Sequence, residues 1–224
     1  MATTLASDDR GIVRALSDID PGSHLVLIYD SPEHKRDVLF SHLALGAKDS
    51  KLVYVCSEEP PDQVEEEMSE FGINVAWLKT TGRLTIAEYD QVYLEDGKVD
   101  VPKAIGYFSN LAWSCWREGV GGGLRVAEEM SFFFRRRLVD DLKMYEKRLH
   151  RTFPFESRGV CAYSVVDLAG SGRLEDLLGA FHRRDAVAFT GPNGVSILDQ
   201  EPLQKPVKST EVSSGGLQSQ YFRH

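Results

Sequence analysis

Short apolar runs alternate along the chain with longer stretches in which apolar positions recur every three or four residues. The runs are HLVLIY (24–29), KLVYVCS (51–57), RLTIAE (83–88), LRVAEEM (124–130), GVCAYSVVD (159–167), AVAFTG (186–191) and VSIL (195–198). Runs of this length without strict alternation suit strands covered on both faces. Helical spacing follows in between. Val38, Leu39, His42 and Leu45 mark a helix over 32–46, and Val64, Met68 and Phe71 mark one over 61–71. Ile105, Phe108, Leu111 or Ala112, and Cys115 mark 102–117; Leu138, Leu142, Tyr145 and Leu149 mark 135–151; Leu174, Leu177, Leu178 and Phe181 mark 173–182. Strands alternating with helices predict βαβ units, hence an α/β fold with a mostly parallel sheet and helices on both faces. Only GPNG separates the last two strands, which predicts an antiparallel hairpin at the sheet edge. The expected organisation is a leader over 1–23 with a small amphipathic piece (Ile12, Val13, Leu16), one domain over 24–200, and a polar, mobile tail over 201–224. No internal repeat is visible.

Composition narrows the class. The chain has 224 residues and a formal charge of −8, with a sequence pI near 5.3. That length forms a core without staples, and the acidic balance argues against a general nucleic-acid binder. Cys56, Cys115 and Cys161 are an odd count without CxxC spacing, which fits a reducing cytoplasm better than a disulfide framework. The N-terminal segment has acids and no apolar centre, unlike a signal peptide, and no apolar run is long enough to span a bilayer.

The first strand leads into a turn and a helix, the frame of a phosphate-binding P-loop. The turn reads Asp30-Ser31-Pro32-Glu33-His34-Lys35-Arg36-Asp37. A P-loop needs glycines to curl backbone N–H groups round phosphate, and a lysine followed by a hydroxyl residue. Neither is present. Ser31 is suited to N-cap and Pro32 to the first helical position, while Asp30 and Glu33 already place negative charge at the positive helix end. Lys35 and Arg36 soften that charge without restoring a cradle. The turn reads as a capped helix start, not as a site for Mg-ATP.

Two further stretches carry candidate chemistry. Glu58 and Glu59 follow the second strand, at the edge where parallel sheets take ligands. They serve either as acids at a helix start or as groups that activate water, bind a cation or accept hydrogen bonds. Leu124–Met130 places Arg125, Glu128 and Glu129 on one strand. An arginine in a parallel strand needs partners, of which Glu128, Glu129, Glu58 and Asp30 are candidates. It either fixes a charged network or receives an anion. Tyr29, Tyr54, Cys56, Met130, Phe132, Phe133, Phe134, Cys161 and Tyr163, with Trp113 and Trp116, supply aromatic and sulfur side chains that are core or pocket wall. The run SFFFRRR is a candidate partner or dimer surface. The histidines show no HxxxH or HExxH spacing, so no metal site is expected, and no Cys–His pair or GxSxG motif argues for nucleophilic catalysis.

The segment from HLVLIYDSPE through KLVYVCSEEPPDQVEEEMSEFGINV resembles the first third of KaiC-type RecA-like ATPases, whose acidic pair after the second strand supplies catalytic carboxylates; Glu58 and Glu59 match it by position. HLVLIYDSPE, TTGRLTIAEYDQVYLEDGKVDVPKAIGYF, GGGLRVAEEMSFFF, YEKRL, GVCAYSVVD and FHRRDAVAFTG, in that order, resemble the MEDS family of sensory domains over about residues 22–195. The family pattern commonly has proline after the histidine near its end; here Arg183 follows His182. The resemblance implies a RecA/KaiC-like fold with a degenerate P-loop, acting as a non-enzymatic sensor of one-carbon or hydrocarbon-derived compounds, with no cofactor. The alternative is a degenerate KaiC-like ATPase or nucleotide binder. The expected ligand site is Tyr29, Asp30, Glu58, Glu59, Arg125, Glu128, Glu129 and Tyr163, with no catalytic residue. The expected partners are a small organic ligand and a second copy or a signalling protein. Neither a membrane nor direct nucleic-acid binding is expected, since no DNA-binding module is recognisable in these residues.

Overall fold

In the computed structural model, the described residues are 3–4, 13, 16–17, 19–22, 24–152, 157–173, 186–191 and 194–199, without the side chains of 3–4, 149–152 and 197–199. Ten strands are present among them: β1 (Thr3–Thr4), β2 (His24–Tyr29), β3 (Lys51–Cys56), β4 (Leu84–Glu88), β5 (Leu94–Glu95), β6 (Lys98–Val99), β7 (Leu124–Glu129), β8 (Ser157–Ser164), β9 (Ala186–Gly191) and β10 (Gly194–Asp199). The helices are α1 (Pro32–Gly46), α2 (Pro61–Glu70), α3 (Val75–Thr80), α4 (Tyr89–Tyr93), α5 (Val101–Arg117), α6 (Ser131–Arg135), α7 (Val139–Thr152) and α8 (Val165–Gly170). The main sheet runs β1-β10-β9-β2-β8-β7-β3-β4. From β9 to β4 every pairing is parallel, and β10 and β1 add an antiparallel edge. The α/β class, the mostly parallel sheet and the edge hairpin are as the hydropathy pattern predicts.

Strand periodicity divides the interior into two cores. Leu25, Leu27 and Tyr29 of β2, with Leu52, Tyr54 and Cys56 of β3, face α1 and α2, where Val38, Leu39, Leu43, Val64 and Met68 meet them. Val26, Ile28, Val53 and Val55 face the other way, toward Ile105, Phe108, Leu142 and Tyr145 of α5 and α7. Each strand is therefore apolar on both faces, and its sequence reads as a continuous run. Helix α1 begins as expected: the Ser31 hydroxyl accepts from His34 N at 3.2 Å, and Pro32 occupies the first helical turn. It ends at Gly46, where a Cβ would lie 2.4 Å from Arg125 Cδ, so only glycine leaves room for that side chain.

Several boundaries differ from the sequence reading. The run at 159–167 does not stay a strand: β8 ends at Ser164, whose hydroxyl accepts from Asp167 N at 3.4 Å and caps α8. The expected helix over 135–151 begins at Val139, because α6 occupies 131–135 and Arg137 turns the chain with φ of 58°. Between α4 and α5 lies a small hairpin, β5–β6, which the hydropathy pattern does not suggest. Its turn residues Asp96 and Gly97 have φ of 49° and 74°, and Asp-Gly is a sequence signal for such a turn. Thr3 and Thr4 pair with Ile197 and Ser196, and Leu16 is buried in the core beside α1. The helix expected over 173–182 falls almost wholly outside the described residues, as do the centre of the GPNG turn and the tail.

Candidate functional site

At the carboxyl ends of β2, β3 and β7, the first turn of α1 directs Lys35 inward beneath the β3–α2 connection. Its side chain is fully buried, and the ammonium donates to Glu129 at 2.7 Å, Glu58 at 2.9 Å and Glu59 at 3.1 Å. Three carboxylates thus use all three ammonium protons. Glu129 is saturated: it also accepts from the Tyr54 hydroxyl at 2.6 Å and from the backbone N–H groups of Ser57 and Glu58 at 2.7 and 2.9 Å. Glu58 accepts from the Tyr29 hydroxyl at 2.5 Å and from the Ser131 hydroxyl at 2.6 Å. Glu59 touches Lys35 through both oxygens and is the most exposed of the three carboxylates, at 19% against 12% for Glu58 and 0% for Glu129. Arg135, half exposed, reaches over the cluster with Nη2 3.7 Å from Glu58.

The electrostatics follow from this packing. Burial pulls the Lys35 ammonium down, but the charges and hydrogen bonds of Glu129 and Glu58 outweigh it and hold the pKa above the ordinary lysine value. Burial alone would raise Glu58; Lys35, Ser131 and Tyr29 bring it below the usual carboxylate value. Glu59 is pushed up, by burial and then by the negative charge of Glu129. Burial and the hydrogen bond to Glu58 raise Tyr29. Lys35 and Arg135 against three ionised carboxylates leave the site with an excess of negative charge.

Of the sequence-expected ligand residues, Tyr29, Glu58, Glu59 and Glu129 come together here. The others do not. Asp30 lies at the surface, bound to Thr190 at 2.6 Å and His34 at 2.7 Å. Glu128 points to the opposite face of the sheet from Glu129, as strand alternation requires. There it accepts from the hydroxyls of Tyr93 and Tyr145 and from the Cys161 thiol at 3.5 Å. Tyr163 is on that same face, donating to Glu146. Arg125 is a correction: it sits near the amino end of β7, and its contacts are His42 O at 3.2 Å and His42 Nδ1 at 3.4 Å, not the carboxylates expected for it. Fully buried with Arg125 beside it, His42 is driven down to about 3, first by burial and then by the arginine charge.

Trp113 and Trp116 stand exposed on α5 and wall no pocket here. Phe132 and Phe133 are buried in the core, so SFFFRRR does not present an apolar surface. The arginine that reaches the cluster is Arg135, and the cation at its centre is Lys35; the sequence reading assigns neither to the site. A signal for Lys35 exists: a lysine one turn into a helix cannot be buried without carboxylates, and Glu58 and Glu59 stand at the end of the next strand. The histidine reading also misses a contact. His24, Glu146 and Cys161, from β2, α7 and β8, bring ligand-type atoms within 4.8 Å of one another, a grouping that local spacing cannot reveal.

The model of one family matches residues 23–180: MEDS, the methanogen/methylotroph, DcmR sensory domain. None of the curated proteins matches the chain. Among solved structures, an uncharacterised protein of Pyrococcus horikoshii, PH0321, crystallised with an unknown peptide, superposes with a TM-score of 0.61 at 17% identity, covering 88% of this chain and 91% of that one. The KaiC-like protein PH0186 of Pyrococcus horikoshii OT3 gives a TM-score of 0.53 at 13% identity, covering 80% and 91%. At these identities the likeness is one of fold, and the fold is KaiC-like.

Proposed function

The chain belongs to the MEDS family of sensory domains, and on that premise we propose that it is a ligand-responsive regulatory module whose input is the Lys35–Glu58–Glu59–Glu129 cluster. The observation that carries this reading is a fully buried lysine answered by three carboxylates at the ligand-binding edge of a parallel sheet, with Glu59 and Arg135 facing solvent. The excess negative charge selects a small ligand with a cationic or hydrogen-bond-donating group, such as a short organic amine. Such a ligand enters at Glu59 and competes with Lys35 for Glu58. Glu58 in turn holds Tyr29 of β2 and Ser131 and Arg135 of α6. Ligand occupancy therefore reaches α1 through Lys35 and α6 through Glu58, and these helices are the surfaces a partner reads.

A nucleotide is the second reading, because the cluster keeps a lysine one turn after β2 beside an acidic pair after β3. The geometry opposes it. The β2–α1 turn has no glycine cradle, and phosphate would meet three carboxylates before it met the ammonium. Calorimetry and thermal-shift titration with short organic amines, neutral one-carbon compounds and Mg-ATP separate the two. The expected result is a shift with an amine that Glu59→Gln weakens at least tenfold. Micromolar Mg-ATP binding lost in Lys35→Met would replace the sensor reading with the nucleotide one. A shift from neither class would reject the cluster as an input site.

A further inference from the structure

On the face of the sheet away from Lys35, His24 Nε2 lies 2.7 Å from Cys161 Sγ. Cys161 is fully buried in the middle of β8, and Glu146 of α7 is buried beside it. The three residues come from different elements. His24 opens β2, which pairs in parallel with β8 so that His24 stands opposite Gly159. A Cβ on Gly159 would lie 3.1 Å from the His24 ring, so the strand is kept bare where the imidazole lies. Glu146 accepts a hydrogen bond from the Tyr163 hydroxyl, which fixes its orientation. His24 as a residue is only partly buried, whereas Cys161 and Glu146 are fully so.

We propose that His24, Cys161 and Glu146 bind a zinc-class divalent cation and so fasten α7 to the sheet. One nitrogen, one sulfur and one carboxylate oxygen are zinc donors, and their ligand atoms already lie within 4.8 Å of one another. A tetrahedral ion with ordinary Zn–N and Zn–S bonds separates those two donors by roughly 3.6 Å, so the pair at 2.7 Å must open by about 1 Å to admit it. The fourth donor is within reach: Glu128 Oε1 is 3.5 Å from the same sulfur. Tyr163 on Glu146 is the kind of outer hydrogen bond that orients metal-binding carboxylates.

The proton balance follows from the thiol. Without metal Cys161 is a thiol that donates to Glu128 Oε1 at 3.5 Å. Binding forms the metal–sulfur bond and expels that proton to solvent. His24 coordinates as the neutral imidazole through Nε2, with its proton on Nδ1. The thiolate and Glu146 balance the dication in the core, where an uncompensated charge would be costly, and the one negative charge that Glu128 adds is held by the hydroxyls of Tyr93 and Tyr145. This cluster is on the opposite face of the sheet from Lys35, and the inference does not depend on the sensor reading.

The test is titration of the full reduced chain with Co2+, followed by absorption, and with Zn2+, followed by calorimetry at two buffer ionisation enthalpies. The expected result is one equivalent bound, a thiolate-to-cobalt charge-transfer band and release of one proton. Cys161→Ser removes the band, whereas Cys115→Ser keeps it. Glu146→Gln and Gly159→Ala each weaken binding at least tenfold. Absence of the band in the unaltered chain overturns the proposal, and so does a band that survives Cys161→Ser. Cobalt binding without the band, lost in Glu59→Gln instead, would place the ion in the carboxylate cluster and also overturn it. Because the unaltered chain must show the band, the proposal can fail even where a variant does not fold.

Discussion

Glu128 and Glu129 are neighbours on β7 and live in opposite electrostatic worlds. Glu129 faces α1 and meets an ammonium, a tyrosine hydroxyl and two backbone N–H groups. Glu128 faces α7 and meets two tyrosine hydroxyls and a thiol. Both carboxylates are buried, at 0% and 2% exposure. One side of the sheet settles its acid by ion pairing and the other by neutral donors. On the proposed function, the ion cluster that reaches solvent through Glu59 is the one a charged ligand rearranges, whereas the cage of tyrosines and a thiol holds its shape unless the proposed metal ion takes the sulfur.

Removing the cation is the most severe way to probe the contrast. Lys35→Met leaves three carboxylates around an apolar side chain, two of them well buried. The expected loss is about 3–5 kcal/mol in urea unfolding, the magnitude seen when one partner of a buried pair is removed. Glu128→Gln keeps the shape of the opposite cage but replaces charge-assisted hydrogen bonds with neutral ones, and about 1.5–3 kcal/mol is expected to go. If the order were reversed, the ion cluster would be peripheral to stability and the tyrosine cage the true centre of the sheet edge.

How much of this contrast is legible in the sequence depends on range. The strands and most helices are, because apolar periodicity is a local signal and each strand here is covered on both faces. The acidic pair after β3 is legible because the end of a parallel strand is a known ligand edge. What fails needs direction or distance. Proximity in sequence groups Glu128, Glu129 and Arg125 as one cluster. Yet alternation sends Glu128 to the far face, and Arg125 lies four residues before Glu129, on the right face but at the wrong end of the strand. In the sequence Lys35 only softens the charge of a helix start, because burial of a lysine depends on partners 23, 24 and 94 residues away. The His24–Cys161 contact spans 137 residues and leaves no local motif at all.

The amino ends of the strands supply a pH-dependent probe that touches neither carboxylate. His42 is neutral in the fold: Nε2 donates to Arg158 O at 3.2 Å, and Nδ1 accepts from Arg125 at 3.4 Å. Its pKa falls from the ordinary 6.5 to about 3. A base whose folded pKa is lowered contributes stability that is complete above the unfolded value and lost as pH falls below it. Stability should therefore decline from about pH 6.5 toward pH 3, by at most about 1.4 kcal/mol per pH unit from this group. The measurement is the urea midpoint against pH, for the unaltered chain and for His42→Gln. A variant with the same acid slope would remove His42 as the cause and assign the slope to the carboxylate cluster.

Glu59 offers the smallest and most discriminating change, because it is the member of the ion cluster that the cluster holds least. Its folded pKa is raised by burial and by Glu129, whereas that of Glu58 is lowered. For Glu59 the linkage favours the folded state at low pH and is lost as pH rises through its folded value. For Glu58 it favours the folded state above the unfolded value and is lost as pH falls. Once ionised, Glu59 is the surplus charge around Lys35. Glu59→Gln should leave the fold equally stable or up to about 1 kcal/mol more stable, with the gain shrinking as pH falls and the wild-type carboxyl becomes neutral. Glu58→Gln should be destabilising under the same neutral conditions, since it weakens the bonds from Lys35, Tyr29 and Ser131. Paired urea curves at neutral and mildly acid pH measure both. Equal losses in the two variants would mean that Glu59 is as firmly built in as Glu58. The cluster would then have no loose acid through which a ligand could enter, and the contrast between a rearrangeable face and a rigid one would fail.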